Sequence, residues 1–220
     1  SAQLVLHGDQ QQSEAALQLD TQPLQAQLQL QAKAEKNQLW LVRLTQAQLA
    51  SPVGRWLLKE ASSVELDPTK QRLRLSAQCW QSNPAELCLQ QSNWLSASQG
   101  AVKLDLEHFE LAQLQHFIAD EQRLSGEASL TASAQWKTNQ PLQATLEVTG
   151  SEGHWQQTQI NPLLLPWQQW SLSATLASNK LSSTTRIQFT DSAKAQLELS
   201  LPDVRQQDLQ LAAQLELQQL

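Results

Sequence analysis

Leucine and alanine occupy alternate positions along much of this chain, and glutamine fills most of the positions between them. Leu24, Ala26, Leu28, Leu30, Ala32 and Ala34 alternate with Gln25, Gln27, Gln29, Gln31 and Lys33. Successive side chains of a strand point to opposite faces, so this spacing predicts a strand with one wet and one apolar face. The pattern recurs at Leu17 and Leu19, at Val102 to Leu106, at Ala128 to Trp136, and at Leu142 to Val148. It returns at Trp170 to Leu176, Ile187 and Phe189, Ala193 to Leu201, and Leu209 to Leu217. The breaks have turn composition: Thr21-Gln22-Pro23, Asp67-Pro68-Thr69-Lys70, Lys137 to Pro141, Asn179-Lys180 and Asp191-Ser192. Short links between long alternating runs predict an antiparallel meander in which chain neighbours pair.

Three stretches depart from period two. Pro52, Gly54, Trp56, Leu57 and Leu58 predict a loop or short helical turn between Ser51 and Glu60. Phe109, Leu111, Leu114, Phe117 and Ile118 fit one face of a helix better than a strand, which places one short helix near 108–119. Leu163-Leu164-Leu165, bracketed by Asn161-Pro162 and Pro166, reads as a buried plug or a short irregular strand.

Composition narrows the function classes. Gln and Leu make up about a third of the 220 residues, far above ordinary usage. A hydrophobic content of 40% argues against disorder. A net charge of −6 disfavours nucleic acid as a partner and simple electrostatic docking on anionic lipid. No apolar run is long enough for a transmembrane helix. Both ends fall inside strand pattern and no initiator Met is present, which suggests a piece of a longer, repetitive protein with Ser1-Ala2 as a tag remnant.

No enzyme motif stands out. There is no G-x-S-x-G, P-loop or dinucleotide fingerprint, and no paired-carboxylate site can be placed. His7, His108, His116 and His154 are scattered without metal-ligand spacing, so neither a metal nor a cofactor is expected. Trp40, Trp94, Trp136 and Trp170 lack clustered Asp and Asn beside them, so strand-end packing suits them better than sugar stacking. Cys79 and Cys88 fall opposite each other in a hairpin whose turn centres between Asn83 and Pro84. A four-residue loop, Ser82 to Ala85, is expected there because Pro84 cannot adopt the positive φ of a type I′ turn. Opposed Cβ atoms come within reach of a disulfide, which would imply an oxidising compartment; two free core thiols are the other reading.

A dozen or more strands with one apolar face must cover that face. A closed sandwich or barrel would do so, and so would a long sheet folded lengthwise around an apolar trough. Small inward residues, Ala132, Ala134, Ala144 and Ala174, leave space for a trough or pack against leucines in a sandwich.

One segment adds a resemblance. From Val102 a strand leads into the helical cluster, then Leu124-Ser125-Gly126, then a long hairpin closed by Gly150 and Gly153. This order, together with the Cys79-Trp80 and Leu87-Cys88 pair, resembles the periplasmic region of the TamB family, within the AsmA-like and bridge-like lipid transport group. The resemblance implies an all-β fold: a long antiparallel meander curled into a taco-like half-barrel with an apolar groove. It favours the disulfide, and it treats residues 1–220 as one continuous groove segment, with halves 1–100 and 101–220. It implies a non-enzymatic conduit for phospholipid acyl chains through the periplasm, an inner-membrane anchor outside this segment, and an outer-membrane barrel partner resembling TamA. The groove would be lined by Leu130, Ala132, Leu142, Ala144, Leu146, Val148, Leu172, Ala174, Leu176, Ile187, Phe189, Leu197 and Leu199. The alternative within the same family is an assembly factor that holds unfolded outer-membrane strands by β-augmentation. A closed, ligand-free, adhesin-like sandwich is the third reading.

Overall fold

A computed structural model of the chain describes residues 1–9, 11–158, 162–190, 193–204 and 212–219. The strands are β1 Ala2–Gly8, β2 Gln12–Asp20, β3 Gln25–Ala34, β4 Trp40–Ser51, β5 Gly54–Leu58, β6 Ser62–Asp67 and β7 Arg72–Leu75. They continue with β8 Gln78–Ser82, β9 Ala85–Leu89, β10 Leu95–Ser96, β11 Gln99–Glu110, β12 Gln122–Ser125, β13 Glu127–Lys137 and β14 Gln143–Gly150. The last are β15 Gly153–Gln157, β16 Leu163–Trp167, β17 Gln169–Ala177, β18 Lys180–Gln188, β19 Ala193–Leu201 and β20 Ala212–Gln219. The fold is all-β and antiparallel, as the alternation predicts. Leu209, Leu211, Asn161 and the turn Asp191-Ser192 lie outside the described residues. Among the described residues no helix is long and apolar enough to cross a membrane.

The chain divides into two compact units, Ser1–Leu104 and Asp105–Leu220, and the division falls inside β11. In the first unit β1, β2, β3 and β4 pair in sequence order. A bulge in the β3–β4 ladder places an extra residue, Thr45, in β4, and its hydroxyl donates to the Gln29 carbonyl at 3.1 Å. Beyond the bulge β4 serves two partners: Gln48–Ser51 pairs with β5, whereas Trp40–Leu44 pairs with β6. In the second unit β13, β14, β17, β18, β19 and β20 pair successively, and β12, β15 and β16 form a separate three-stranded sheet. Neither run of strands closes into a barrel.

Three local expectations change. Residues 54–58 form a strand rather than a loop or helical turn. Trp56 and Leu58 alternate inward as a strand requires, but Leu57, 48% exposed, occupies the wet parity and hides the period. The hairpin at Asn83-Pro84 is tighter than a four-residue loop: Ser82 pairs with Ala85 and the Asn83–Pro84 peptide is cis. The register is the expected one, because shortening the loop symmetrically keeps its centre. Leu163, Leu164 and Leu165 form the short strand β16, one of the two expectations for this stretch, and their exposure sets aside the other, a buried plug. The expected helix is a 3-10 helix over Leu111–Phe117 in which Leu111 is buried and its N–H donates to the Gly126 carbonyl at 3.0 Å.

Gly126 and Gly153 are needed because two backbones meet at the crossing from β12 to β13. Gly126 has φ +112°, and a Cβ on Gly153 would lie 2.2 Å from the Ser125 carbonyl oxygen. Gly150 makes room for an indole: a Cβ there would lie 1.8 Å from Nε1 of Trp170. Trp94 is covered by guanidinium groups, with Arg72 4.3 Å and Arg74 5.3 Å from the ring centre. Arg72 Nε donates to Asp67 at 3.0 Å, and Arg74 pairs with Glu65. Asp67 is 3% exposed and also accepts from the Thr69 hydroxyl at 2.6 Å and the Lys70 N–H at 3.1 Å. The Thr69 bond does most to hold the Asp67 carboxyl below its ordinary range; the Arg72 and Lys70 bonds act in the same direction, against the cost of burial.

Cys79 and Cys88 are joined as a disulfide between facing residues of β8 and β9, with 4.1 Å between their Cα atoms. Replacing both by alanine is expected to lower stability by about 2–3 kcal/mol, the chain-entropy value for so short a loop, measured by urea denaturation. A second prediction concerns pH. A carboxyl with a depressed folded pKa stabilises the fold above its unfolded pKa, and that stability is lost as pH falls through the folded value. Asp67→Asn is therefore expected to melt at lower temperature than wild type at pH 7, with the gap narrowing below about pH 4.

Candidate functional site

Antiparallel registers align the apolar positions into rows that run across the second unit's sheet. Leu130 faces Val148, which faces Leu172; beyond β18, which contributes Thr185, comes Leu197. The next row is Ala132, Leu146, Ala174, Ser183 and Leu199. Ala134, Ala144, Leu176, Leu181 and Leu201 form a third, and Ala128, Gly150, Trp170, Ile187 and Ala195 a fourth. Because directly opposed residues share a face, these rows make one largely apolar surface, broken only by Ser183 and Thr185 of β18 among the rows named. Eleven of the thirteen candidate groove residues belong to these rows. Leu142 precedes β14 and is 44% exposed. Phe189 follows β18 in the bend, where its N–H donates to the Ala193 carbonyl.

The first unit repeats the arrangement. Leu4, Leu17, Leu28 and Ala47 align across β1 to β4, and Leu19, Ala26, Leu49 and Trp56 align across β2 to β5. None of these is among the groove residues expected from the sequence, although the alternation here is as regular.

These faces are not covered as a core is. Among the described residues six apolar ones are buried, four of them alanine, and no large side chain is fully enclosed. The leucines of the rows are half-buried, apart from Leu4, which is exposed. The accessible area of the chain is 14812 Å². A compact protein of 24.6 kDa would expose about 10,000 Å², and two separate compact halves about 12,000 Å². The excess therefore does not depend on how the two units are disposed.

The opposite face carries the amides and charges. A hollow of about 390 Å³ on the second unit is lined by Gln169, Arg186, Gln188, Lys194, Gln196 and neighbours. Its side chains already bond one another: Gln169 to Gln188 at 2.9 Å and Arg186 to Gln196 at 2.8 Å. A second hollow, of about 660 Å³ on the first unit, is lined by Gln3, Gln18, Gln27, Gln29, Gln46 and Gln48 among others. Sequence reasoning treats these glutamines as a wet face and does not anticipate that register stacks them.

Two groupings have the residue types of reactive sites without the arrangement. The Ser125 hydroxyl lies 2.7 Å from Nδ1 of His154, but the two are register partners of β12 and β15, and the His154 N–H also donates to the same oxygen. Among the described residues no carboxylate bonds His154. Cys79, Glu86 and Cys88 come together, with both sulfurs committed to the disulfide.

An antiparallel sheet with one amide-rich face and one in-register apolar face, half-buried and without a closed core, defines a β-surface protein. The sequence places it: the model of the family described as "TamB, N-terminal domain" matches residues 1–220, and the chain belongs to that family. It is 23% identical over 203 residues to the translocation and assembly module subunit TamB of Haemophilus influenzae. The match covers 91% of this chain and 16% of that relative, so the chain spans about a sixth of the relative's length. No solved structure matches.

Proposed function

We propose that this chain is a segment of a non-enzymatic conduit that holds phospholipid acyl chains on its apolar rows and passes them through the periplasm between the inner and outer membranes. The carrying observation is the row of Leu130, Val148, Leu172 and Leu197, aligned across the strands yet only half-buried. Exposed apolar surface of this extent is costly in water unless a ligand or partner covers it. Acyl chains suit it: each buried CH₂ contributes about 0.8 kcal/mol, and the burial is non-directional, so a tail can slide from strand to strand. The amide face keeps the sheet wetted on its other side. Family membership adds a role in the translocation and assembly module, with an outer-membrane barrel resembling TamA as partner and an inner-membrane anchor elsewhere in the protein. The disulfide fits an oxidising compartment such as the periplasm.

A second reading, β-augmentation of unfolded outer-membrane strands, draws on one observation. All of β1 is exposed, including Leu4 at 57% and Leu6 at 63%. Ser1 and Asp20 exchange both backbone hydrogen bonds, so the backbone groups of Gln3, Val5 and His7 turn toward β2 and those of Leu4 and Leu6 turn away from it.

The readings separate in one experiment. Leu146→Arg and Leu199→Arg are expected to reduce binding of a fluorescent phospholipid at least tenfold, since each sets a charge in the same apolar row, with the far-ultraviolet circular dichroism of the sheet unchanged. Leu4→Pro, which removes an outward N–H of β1 together with one leucine of the first unit's row but adds no charge, is expected to lower that binding far less than either arginine variant. Wild-type lipid binding in both arginine variants would overturn the conduit reading; loss of strand capture in Leu4→Pro alone would favour the assembly reading.

A further inference from the structure

The second unit's apolar rows are interrupted at a single strand. On the face that carries Leu130, Leu146 and Leu172, β13, β14, β17 and β19 present only apolar side chains or glycine, whereas β18 presents Leu181, Ser183, Thr185 and Ile187. Ser183 stands between Ala174 and Leu199, and Thr185 between Leu172 and Leu197. Both are half-buried, and neither hydroxyl bonds another described residue.

The pair is set apart by its neighbours. On the sheet's other face Ser133 bonds Thr145 at 2.7 Å and Thr131 bonds Asp105 at 2.9 Å, and hydroxyls there that bond no described residue have polar residues across the strands, as Ser171 has Arg186 and Thr184 has Glu198. Ser183 and Thr185 instead face leucine and alanine on both sides. While the face is wet, water satisfies them. Once alkyl chains cover it they lose that water, and any covering group without a hydrogen-bond acceptor leaves two donors unpaired. Pure hydrocarbon is therefore penalised at β18, where two hydroxyl donors stand in the middle of the second unit's rows.

Resting on the lipid reading above, we propose that Ser183 and Thr185 form a polar step that takes the acyl-ester carbonyls of a glycerolipid. The required acceptor must be neutral, because the charged residues of this strand, Lys180 and Arg186, fall on the opposite parity and face the amide side. That disfavours the phosphate. It must also sit where alkyl chains begin, since apolar rows lie on both sides of the step. The two esters of a glycerolipid meet both requirements. Each joins one acyl chain to the glycerol, and two donors about 6.6 Å apart along one strand can serve one carbonyl each. The tails then lie toward Leu172 and Ala174 on one side and toward Leu197 and Leu199 on the other. The step gives a lipid a preferred position on an otherwise featureless apolar path.

The test is displacement of a fluorescent acyl probe from the chain by diacyl phosphatidylethanolamine and by its dialkyl-ether analogue of equal chain length. The ether keeps the tails and head group and lacks the carbonyls. Wild type is expected to prefer the ester on the order of tenfold, the worth of two hydrogen bonds. In Ser183→Ala/Thr185→Val the preference is expected to vanish, with ether binding equal to or tighter than in wild type. Ser183→Thr/Thr185→Ser, which keeps both hydroxyls, is expected to retain it. With carbon-13-labelled ester carbonyls, the infrared carbonyl band is expected to lie lower when bound to wild type than when bound to the hydroxyl-free variant. Equal affinity of wild type for ester and ether overturns the polar step and leaves the conduit standing. Failure of both lipids to displace the probe overturns the conduit and the step with it.

Discussion

The cross-strand backbone ladder is the interaction on which this chain depends. A globular domain is held chiefly by side chains removed from water, but here six apolar residues are buried among those described and the largest side chains are not fully enclosed. Backbone donors and acceptors are paired sideways, strand to strand, over registers of up to ten residues. Each such bond adds only about 0.5–1.5 kcal/mol net, so the ladder works through its length and through the half-buried side-chain rows it aligns. Freed from the need to close a core, the sheet keeps an apolar face accessible.

Register converts a one-dimensional alternation into a two-dimensional surface. A slip of one residue between β14 and β17 would turn Leu172, Ala174 and Leu176 to the amide side and break every row. The features that secure register are therefore also those that preserve the surface. The disulfide joins facing residues of β8 and β9. Gly150 accepts the indole of Trp170 and fixes β14 against β17 at the end of the rows. Gly126 and Gly153 let the chain leave the small sheet and begin β13 in the right phase. Four neighbouring strands beyond β13 extend the rows about 19 Å at the usual strand spacing.

Much of this was legible in the sequence, because a one-face sheet writes its period directly into the chain. The strands from β2 to β4, β13 and β14, β17 and β19, the facing cysteines and the short helix near residue 111 all follow from spacing. What was not legible has physical causes. Leu57 sits on the wet parity of β5 and breaks the alternation that would have revealed a strand. For Leu163 to Leu165 the sequence leaves a buried plug and a short strand open, because three consecutive leucines are usually buried; β16 pairs with β15 in a small sheet and leaves them exposed. The branching of β4 between β5 and β6 depends on a bulge at Thr45 that no local motif announces. The hydroxyl step on β18 was present in the letters, but its isolation became visible only when register placed Leu172 and Leu197 on either side of Thr185.

The central claim is that acyl chains cover the apolar rows. It is tested most directly by native mass spectrometry, with organic extraction, of the protein purified from bacterial membranes without added lipid. The account predicts adducts with phospholipid masses, released on extraction and identified as intact diacyl lipids. A protein that flies free of lipid under conditions that preserve its fold, with no phospholipid in the extract, would contradict it.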